Sequence, residues 1–229
     1  MKILAIDTSS GSESVALLED GRLLGEWLST DVGLHSRYLV GNVKRFLESQ
    51  RVGLKEIGLF TVTTGPGSFT GLRVGISTVK GLSWVVGSPV AGVSTLEALA
   101  MNVSPMTGVI CPLIDAKQKE VYTALFRYRG GELERLTEDR NIKIERLAEF
   151  LEDSPEELIL LGDGIKASEG MLTGLNNIKL TMPERFWHVR AHNVGIIAWK
   201  RGIKESPHRL VPSYIRKSHA ELKKEDASR

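Results

Sequence analysis

Three glycines and a proline within nine residues give this 229-residue sequence its strongest chemical signal. Residues 65–73 read Gly-Pro-Gly-Ser-Phe-Thr-Gly-Leu-Arg and separate a β-branched run from an apolar run with helical spacing. A glycine-rich junction of this kind leaves backbone amides free at a helix start, where they favour an anion. The predicted glycine turn consists of Gly65, Pro66, Gly67 and Ser68. The alternative role is purely structural, with Ser68 or Thr70 as the N-cap of the helix.

The spacing of the glycine turn does not fit three common motifs. Gly65, Gly67 and Gly71 span one residue more than a dinucleotide-binding fingerprint, and Pro66 lacks the amide that a pyrophosphate would use. No Gly-Lys-Ser/Thr sequence follows, as a P-loop requires. Ser68 directly follows a glycine, which does not match the Gly-x-Ser-x-Gly elbow of hydrolases.

Strands and helices alternate in a regular order around these residues. The predicted strands of the first half cover 2–7, 14–18, 22–28, 59–64 and 89–93, and the predicted helices cover 35–49, 72–86 and 94–101. Asp20-Gly21 is a typical two-residue hairpin turn, so the second and third strands are expected to pair antiparallel. The resulting order, β-β-β-α-β-α-β-α, resembles one lobe of the actin, hexokinase and Hsp70 superfamily.

The second half of the sequence repeats the beginning of the first. A strand over 109–115 ends in an aspartate, and a hairpin joins 121–128 to 133–136 across Gly130-Gly131. Later elements are a helix over 144–151, a strand over 158–161 and a helix over 193–204. We therefore predict an α/β fold of two related actin-like lobes with mixed β-sheets flanked by helices. The predicted domains are a first lobe over 1–104, a reduced second lobe over 105–216 and a charged tail over 217–229.

The superfamily resemblance implies a role for the polar residues at the strand ends. In that fold the first hairpin carries an acid and a hydroxyl that face a nucleotide phosphate. Asp7, Thr8 and Ser9 lie at the matching position, and Asp115 ends the corresponding strand of the second half. These four residues form a phosphate-site-like group, which is vestigial if the reduced second lobe binds no nucleotide. The alternative is that Asp7 only bonds its own turn.

No set of residues in this sequence predicts catalysis. His188 and His192 are four residues apart, a spacing that can place two zinc ligands on one face of a helix, but no glutamate follows His188 as in a zincin. Cys111, the single cysteine, lies in an apolar strand and excludes an internal disulfide. We therefore predict neither a catalytic nor a metal site in this chain.

Several stretches make the resemblance more specific. They are Ile3-Leu4-Ala5-Ile6-Asp7-Thr8-Ser9, His35-Ser36, Gly65 to Gly75, Ser94-Thr95-Leu96-Glu97-Ala98-Leu99-Ala100 and the later Pro212-Ser213-Tyr214-Ile215-Arg216. Together they resemble the bacterial TsaB family, formerly called YeaZ. The resemblance covers the whole chain and is strongest in its first half.

The resemblance implies a non-catalytic scaffold subunit. The machinery to which TsaB proteins belong makes threonylcarbamoyladenosine beside the anticodon of tRNAs that read codons beginning with adenine. The implied partners are the catalytic paralogue TsaD and the small ATPase TsaE, and a homodimer is expected when the partner is absent. We expect no cofactor in the isolated chain, ATP and metal on the partner subunits, and tRNA contact mainly through the complex.

Partner binding is expected on two helices of the first lobe. In the family, the first two helices of this lobe pack against the equivalent pair of the catalytic subunit as a four-helix bundle. The matching residues are Leu39, Val43, Phe46 and Leu47 on the first helix and Gly71, Arg73, Gly75, Thr78, Val79 and Leu82 on the second. Glycines four residues apart allow close helix approach, so leucine at position 75 is expected to abolish the complex without unfolding the monomer. The alternative is that both glycines pack on the chain's own sheet.

Composition agrees with a soluble cytoplasmic protein, with 41% hydrophobic and 25% charged residues. A formal charge of +2 argues against a large nucleic-acid footprint. The longest apolar region, 72–93, contains Arg73 and Lys80, so no membrane span is expected.

Two rival functions remain. One is an actin-fold ATPase or kinase that uses Asp7, Thr8 and Asp115, and the other is a metallopeptidase, as the old glycoprotease label of the superfamily suggests.

Overall fold

A computed structural model of the chain describes residues 1–30, 35–154 and 156–215, excluding the side chains of residues 35–37. The predicted tail over 217–229, Arg216 and the side chain of His35 lie outside the described residues. The chain forms two β-sheets flanked by α-helices, which confirms the predicted α/β class. Both sheets contain parallel and antiparallel strand pairs.

The first half forms five strands and three α-helices. They are β1 (Lys2–Asp7), β2 (Glu13–Glu19), β3 (Arg22–Ser29), α1 (His35–Ser49), β4 (Ile57–Gly65), α2 (Phe69–Val86), β5 (Val90–Ser94) and α3 (Thr95–Ala100), with short 3-10 helices at Leu54–Glu56 and Met101–Val103. The strand order in the sheet is β3-β2-β1-β4-β5. The predicted element order of the first half is therefore confirmed.

The predicted hairpin is also confirmed. β2 and β3 pair antiparallel, and both residues of the turn, Asp20 and Gly21, have positive φ angles of 48° and 81°. This is the backbone conformation that a tight turn between right-twisted strands requires. β1, β4 and β5 are parallel to one another, so their carboxyl ends lie at one edge of the sheet.

The second half forms seven strands and three α-helices. They are β6 (Val109–Lys117), β7 (Glu120–Thr123), β8 (Phe126–Arg129), β9 (Glu132–Arg135), β10 (Arg140–Lys143), α4 (Leu147–Glu152), β11 (Leu158–Leu161), α5 (Gly164–Leu172), β12 (Ile178–Thr181) and α6 (Ala191–Arg201), with short 3-10 helices at Ile144–Arg146 and Glu184–Phe186. The main strand order is β10-β7-β6-β11-β12, and β8 pairs with both β6 and β9.

Three predictions for the second half need correction. The single strand predicted over 121–128 is split, because Leu125 leaves the ladder and bonds the main chain of Leu136 and the hydroxyl of Thr137 instead. The helix predicted over 144–151 begins as a 3-10 turn and becomes α-helical only at Leu147. The elements β10, α5 and β12 were not predicted, because short, half-exposed segments carry little hydrophobic periodicity.

The helices cover the two faces of the first sheet. α1 and α2 pack on one face, where Leu39 and Val79 join the apolar side chains of β1 and β4. α3 and α6 lie on the other face, where Val194 of α6 shares a core with Ala5 of β1. That second core continues into Phe126 and other residues of the second sheet, so one buried cluster joins both sheets.

α6 belongs to the second half of the sequence but is held by the first sheet. Its first backbone amides are capped from β2 and β3, with Ala191 N donating to Ser14 Oγ over 3.0 Å and His192 N donating to Glu26 Oε1 over 3.0 Å. Arg190 pairs with the same Glu26 carboxylate, which is almost fully buried. The predicted domain boundaries stay a prediction, and α6 is an element that crosses between the two predicted lobes.

The chain continues beyond α6 as a segment along the edge of the first sheet, which we call the strap (residues 205–214). Glu205 pairs with Val90 of β5 through two backbone hydrogen bonds, and Leu210 is 2% exposed in the core. Ser213 N donates to Thr64 O over 2.7 Å.

None of the helices in the described ranges combines the length and the hydropathy that a membrane crossing needs.

Candidate functional site

The glycine turn lies directly on the loop that follows β1. Ser68 N donates to Ser9 O, and Thr8 Oγ1 donates to Gly71 O, each over 2.7 Å. A Cβ atom at Gly67 would lie less than 3.0 Å from Ser9 O, and one at Gly71 equally close to Thr8 O. The glycines are therefore required here because the backbones of the two loops touch.

This packing corrects the role predicted for Gly71 and Gly75, which was to let a partner helix approach closely. Both glycines face their own chain, since a Cβ atom at Gly75 would collide with Thr8 Oγ1 and press on Val62 Cγ2 at 3.2 Å. The space that they leave is filled by the end of β1 and by β4, as the alternative prediction stated. Leucine at position 75 is thus expected to destabilise the monomer, and it is unsuitable as a selective test of partner binding.

The start of α2 is fixed from two directions. Ser68 is the N-cap, as predicted, and its side chain accepts a hydrogen bond from Gly71 N over 3.2 Å. Arg73, one turn later, lies over the Phe69 ring at 3.8 Å and donates through Nε to Tyr214 Oη over 2.9 Å. Phe69 and Tyr214 stack with their ring centroids 4.7 Å apart. The strap therefore holds the first two turns of α2.

Asp7 is fully buried beneath the glycine turn. Its Oδ1 accepts hydrogen bonds from Ser9 Oγ and Thr63 Oγ1, each at 2.6 Å, and from Ser9 N at 3.2 Å. Its Oδ2 has no hydrogen-bond partner among the described residues. Burial raises the pKa of the Asp7 carboxyl from 3.8 to about 6, although the three hydrogen bonds oppose that shift. Asp7, Thr8 and Ser9 are all engaged in holding the loop that carries the glycine turn.

The raised pKa of Asp7 predicts a specific dependence of stability on pH. The native state binds a proton more tightly than the unfolded chain between pH 3.8 and about 6, so stability falls as pH rises through this window. The loss should reach about 3 kcal/mol at neutral pH. In the variant Asp7→Asn this loss is absent, so the stability of the variant relative to the parent protein should rise by that amount from about pH 4 to about pH 7.

Urea unfolding at the two pH values measures the effect, and Asp153→Asn, at an exposed carboxyl, is the matched control. The control should leave the pH profile of the free energy of unfolding unchanged. A variant Asp7→Asn whose stability follows pH as the parent protein does would show that Asp7 ionises normally in the native state.

Asp115 lies in β6 of the second sheet, two residues before the strand ends at Lys117, and not at its last residue as predicted. Its backbone N donates to Asp163 Oδ1 over 3.0 Å, and its own carboxylate pairs with Lys117 Nζ at 2.6 Å. Burial, and then the neighbouring charge of Asp115, raise the pKa of Asp163. The sequence marks Asp163 only by its place in Gly162-Asp163-Gly164, and the fold alone brings it to Asp115.

The two histidines at helical spacing do not share a helix. α6 begins at Ala191, so His192 lies in its first turn, whereas His188 lies in the preceding segment and its carbonyl accepts a hydrogen bond from Asn102 Nδ2 over 2.8 Å. Partial burial lowers the pKa of His192. Within residues 1–30, 35–154 and 156–215, no three His, Cys, Asp or Glu side chains come together as a possible metal site.

The predicted interface residues are distributed between the core and the surface. Leu39, Val43, Phe46, Leu47 and Val79 are buried in the chain's own core, Thr78 and Leu82 are half-buried, and Arg73 is exposed. The outer side of the same two helices carries other apolar side chains, namely Tyr38, Val40, Trp84 and Val85. The sequence analysis missed these four residues because it assigned the buried apolar side chains of the two helices to the partner. In the structure those buried side chains face the sheet.

Comparison with known proteins gives a consistent result. The family model for tRNA N6-adenosine threonylcarbamoyltransferase, TsaD, matches residues 33–224. The tRNA threonylcarbamoyladenosine biosynthesis protein TsaB of Bacillus subtilis is 30% identical over 223 residues, which cover 97% of each chain. The solved structure of YeaZ from Pseudomonas aeruginosa superposes with a TM-score of 0.79 at 27% identity, over 93% of this chain and 99% of that one.

A more distant structure is similar in fold alone. Component A of (R)-2-hydroxyglutaryl-CoA dehydratase from Acidaminococcus fermentans superposes with a TM-score of 0.51 at 11% identity. The match covers 88% of this chain and 98% of that one.

Proposed function

Because the chain belongs to the TsaB family of tRNA threonylcarbamoyladenosine biosynthesis proteins, we propose that it is the non-catalytic scaffold subunit of that pathway. It binds a catalytic TsaD paralogue and supports threonylcarbamoyl transfer to the adenosine beside the anticodon of tRNAs that read codons beginning with adenine. The ATPase TsaE acts on the same complex. ATP and metal belong to the partner subunits, and tRNA contacts the assembly mainly through them.

The observation that carries this proposal is a set of exposed large apolar side chains on two neighbouring helices. We define the helix face as Tyr38 and Val40 of α1 together with Trp84 and Val85 of α2. Their exposed fractions are 48%, 58%, 60% and 73%. Large apolar side chains that are exposed on neighbouring helices are candidates for an interaction site. The helix face thus supports partner binding by the outer sides of α1 and α2. The buried apolar side chains of the same helices pack on the chain's own sheet.

The interior of the first lobe supports a scaffold role over an ATPase role. The glycine turn covers the end of β1, and Asp7, Thr8 and Ser9 are 0–4% exposed and bonded within the chain. A phosphate at this position would have to displace the turn. We also infer that the two sheets are related actin-like lobes, with the domain limits given above, on the basis of the strand order and the fold-level match.

Reconstitution tests the proposed function directly. The chain, its cognate TsaD and TsaE, tRNA, threonylcarbamoyl-adenylate and ATP are combined, and modified adenosine is quantified with and without the chain. We expect modification to require the chain and to be absent when the chain is the only protein. Activity of the other components that is indifferent to the chain would contradict the scaffold role, and nucleotide titration of the isolated chain would then test the ATPase alternative.

A further inference from the structure

The strap extends the helix face on the side of α2 away from α1. His208 contacts the Trp84 ring at a centroid distance of 5.7 Å near the end of α2, and Tyr214 contacts Phe69 and Arg73 at its beginning. Fifteen helical residues span about 22 Å, and the six residues from His208 to Tyr214 reach about 20 Å when extended. The strap therefore runs along nearly the whole length of α2, antiparallel to it.

α1, α2 and the strap together carry a larger positive charge than the whole chain has in excess. Their sequences contain six Lys or Arg and two Glu, a formal charge of +4, whereas the whole chain has +2 and the remainder therefore −2. α2 contains Arg73 and Lys80 and no acidic residue. On α1, Arg45 and Lys44 are exposed, and Lys44 is 3.9 Å from Glu48. The elements that carry the helix face thus also carry exposed basic side chains.

We propose that α1, α2 and the strap form one basic, apolar face that selects an acidic partner surface over a second copy of this chain. The proposal rests on the proposed function, in which the partner is the catalytic paralogue. A homodimer through this face would bring the excess positive charge of two copies together, and like charges across an interface oppose association. A partner with acidic residues around an apolar centre removes that repulsion and accelerates the encounter.

The proposal predicts that salt acts in opposite directions on the two assemblies. The screening length falls from about 10 Å at 0.1 M to about 3 Å at 1 M ionic strength. Screening removes attraction from the heterocomplex, so its association rate constant should fall about tenfold or more over this range. Screening removes repulsion from the homodimer, so its dissociation constant should decrease over the same range.

The experiment measures association with the cognate paralogue by biosensor and self-association by sedimentation velocity, each at both ionic strengths. The double variant Arg45→Glu with Lys80→Glu lowers the formal charge of the face from +4 to 0. It should remove both salt dependences and strengthen the homodimer at low salt. The matched control Lys143→Glu with Lys166→Glu makes the same change in net charge at exposed residues of β10 and α5, and should behave like the parent protein.

The outcomes separate this inference from the proposed function. A heterocomplex that forms equally fast at both ionic strengths would overturn the electrostatic selection and leave the scaffold role standing. No heterocomplex at either ionic strength would overturn the proposed function and the inference with it. Binding of tRNA by the isolated chain that the double variant abolishes, and the control does not, would assign the face to RNA and overturn the inference.

Discussion

Replacing Gly71 by alanine is expected to destabilise the protein by about 4 kcal/mol, which is near the upper end of single-substitution effects. The new Cβ atom would lie less than 3.0 Å from the carbonyl oxygen of Thr8, and a backbone atom cannot rotate away as a side chain can. The substitution would therefore separate the glycine turn from the end of β1. It would also disturb the 2.7 Å hydrogen bond from Thr8 Oγ1 to Gly71 O.

Gly81 provides a matched control in the same helix. A Cβ atom at Gly81 meets no heavy atom within 4 Å, so Gly81→Ala adds no contact and gains helix propensity. The control should stabilise the protein by about 1 kcal/mol or less. Urea unfolding of the two variants beside the parent protein gives both free energies. Equal, small effects at the two positions would contradict the close approach of the glycine turn to β1.

Replacing Trp84 by alanine is expected to weaken binding of the catalytic paralogue about a hundredfold, or about 3 kcal/mol, as for an aromatic anchor at the centre of an interface. Trp84 is 60% exposed in the isolated chain, and its ring is tilted by 51° against the His208 ring at a centroid distance of 5.7 Å. Little packing is therefore lost when it is removed. The free energy of unfolding should change by less than about 1 kcal/mol.

Isothermal titration of the paralogue into each variant measures the binding effect, with thermal unfolding as the check on folding. Met171→Ala removes another large apolar side chain, 44% exposed on α5, and should bind as the parent protein does. Equal affinity of Trp84→Ala and Met171→Ala would show that the helix face does not meet the partner. A large loss of stability in Trp84→Ala would show that Trp84 acts through folding.

Local interactions make the first half of the fold predictable. The hairpin at Asp20-Gly21, the bounds of α1 and the N-cap at Ser68 follow from turn chemistry, helical periodicity and capping preference, all of which act within a few residues. The second half is less predictable, because its strands are four residues long apart from β6 and several are half-exposed. Such segments do not carry enough periodicity to separate strand from loop.

The candidate site shows the same division between local and long-range information. The types and spacing of Asp7, Thr8, Ser9 and the glycine turn are enough to single out these residues. Their contact with each other is not evident from that pattern, because the two loops are about sixty residues apart and meet only when β1 and β4 pair. The same holds for Arg73 and Tyr214, which are 141 residues apart.

Residue types and their spacing suffice to identify the family, the strand and helix order of the first half, and the need for glycine at the start of α2. Which neighbour each of these features serves depends on the folded chain. Periodicity states that one side of a helix is apolar, but it does not state whether that side meets its own sheet or another chain. In this protein the buried apolar side of α1 and α2 meets the sheet, and their outer side carries the helix face. Thr8 fills the space beside Gly71 and Gly75.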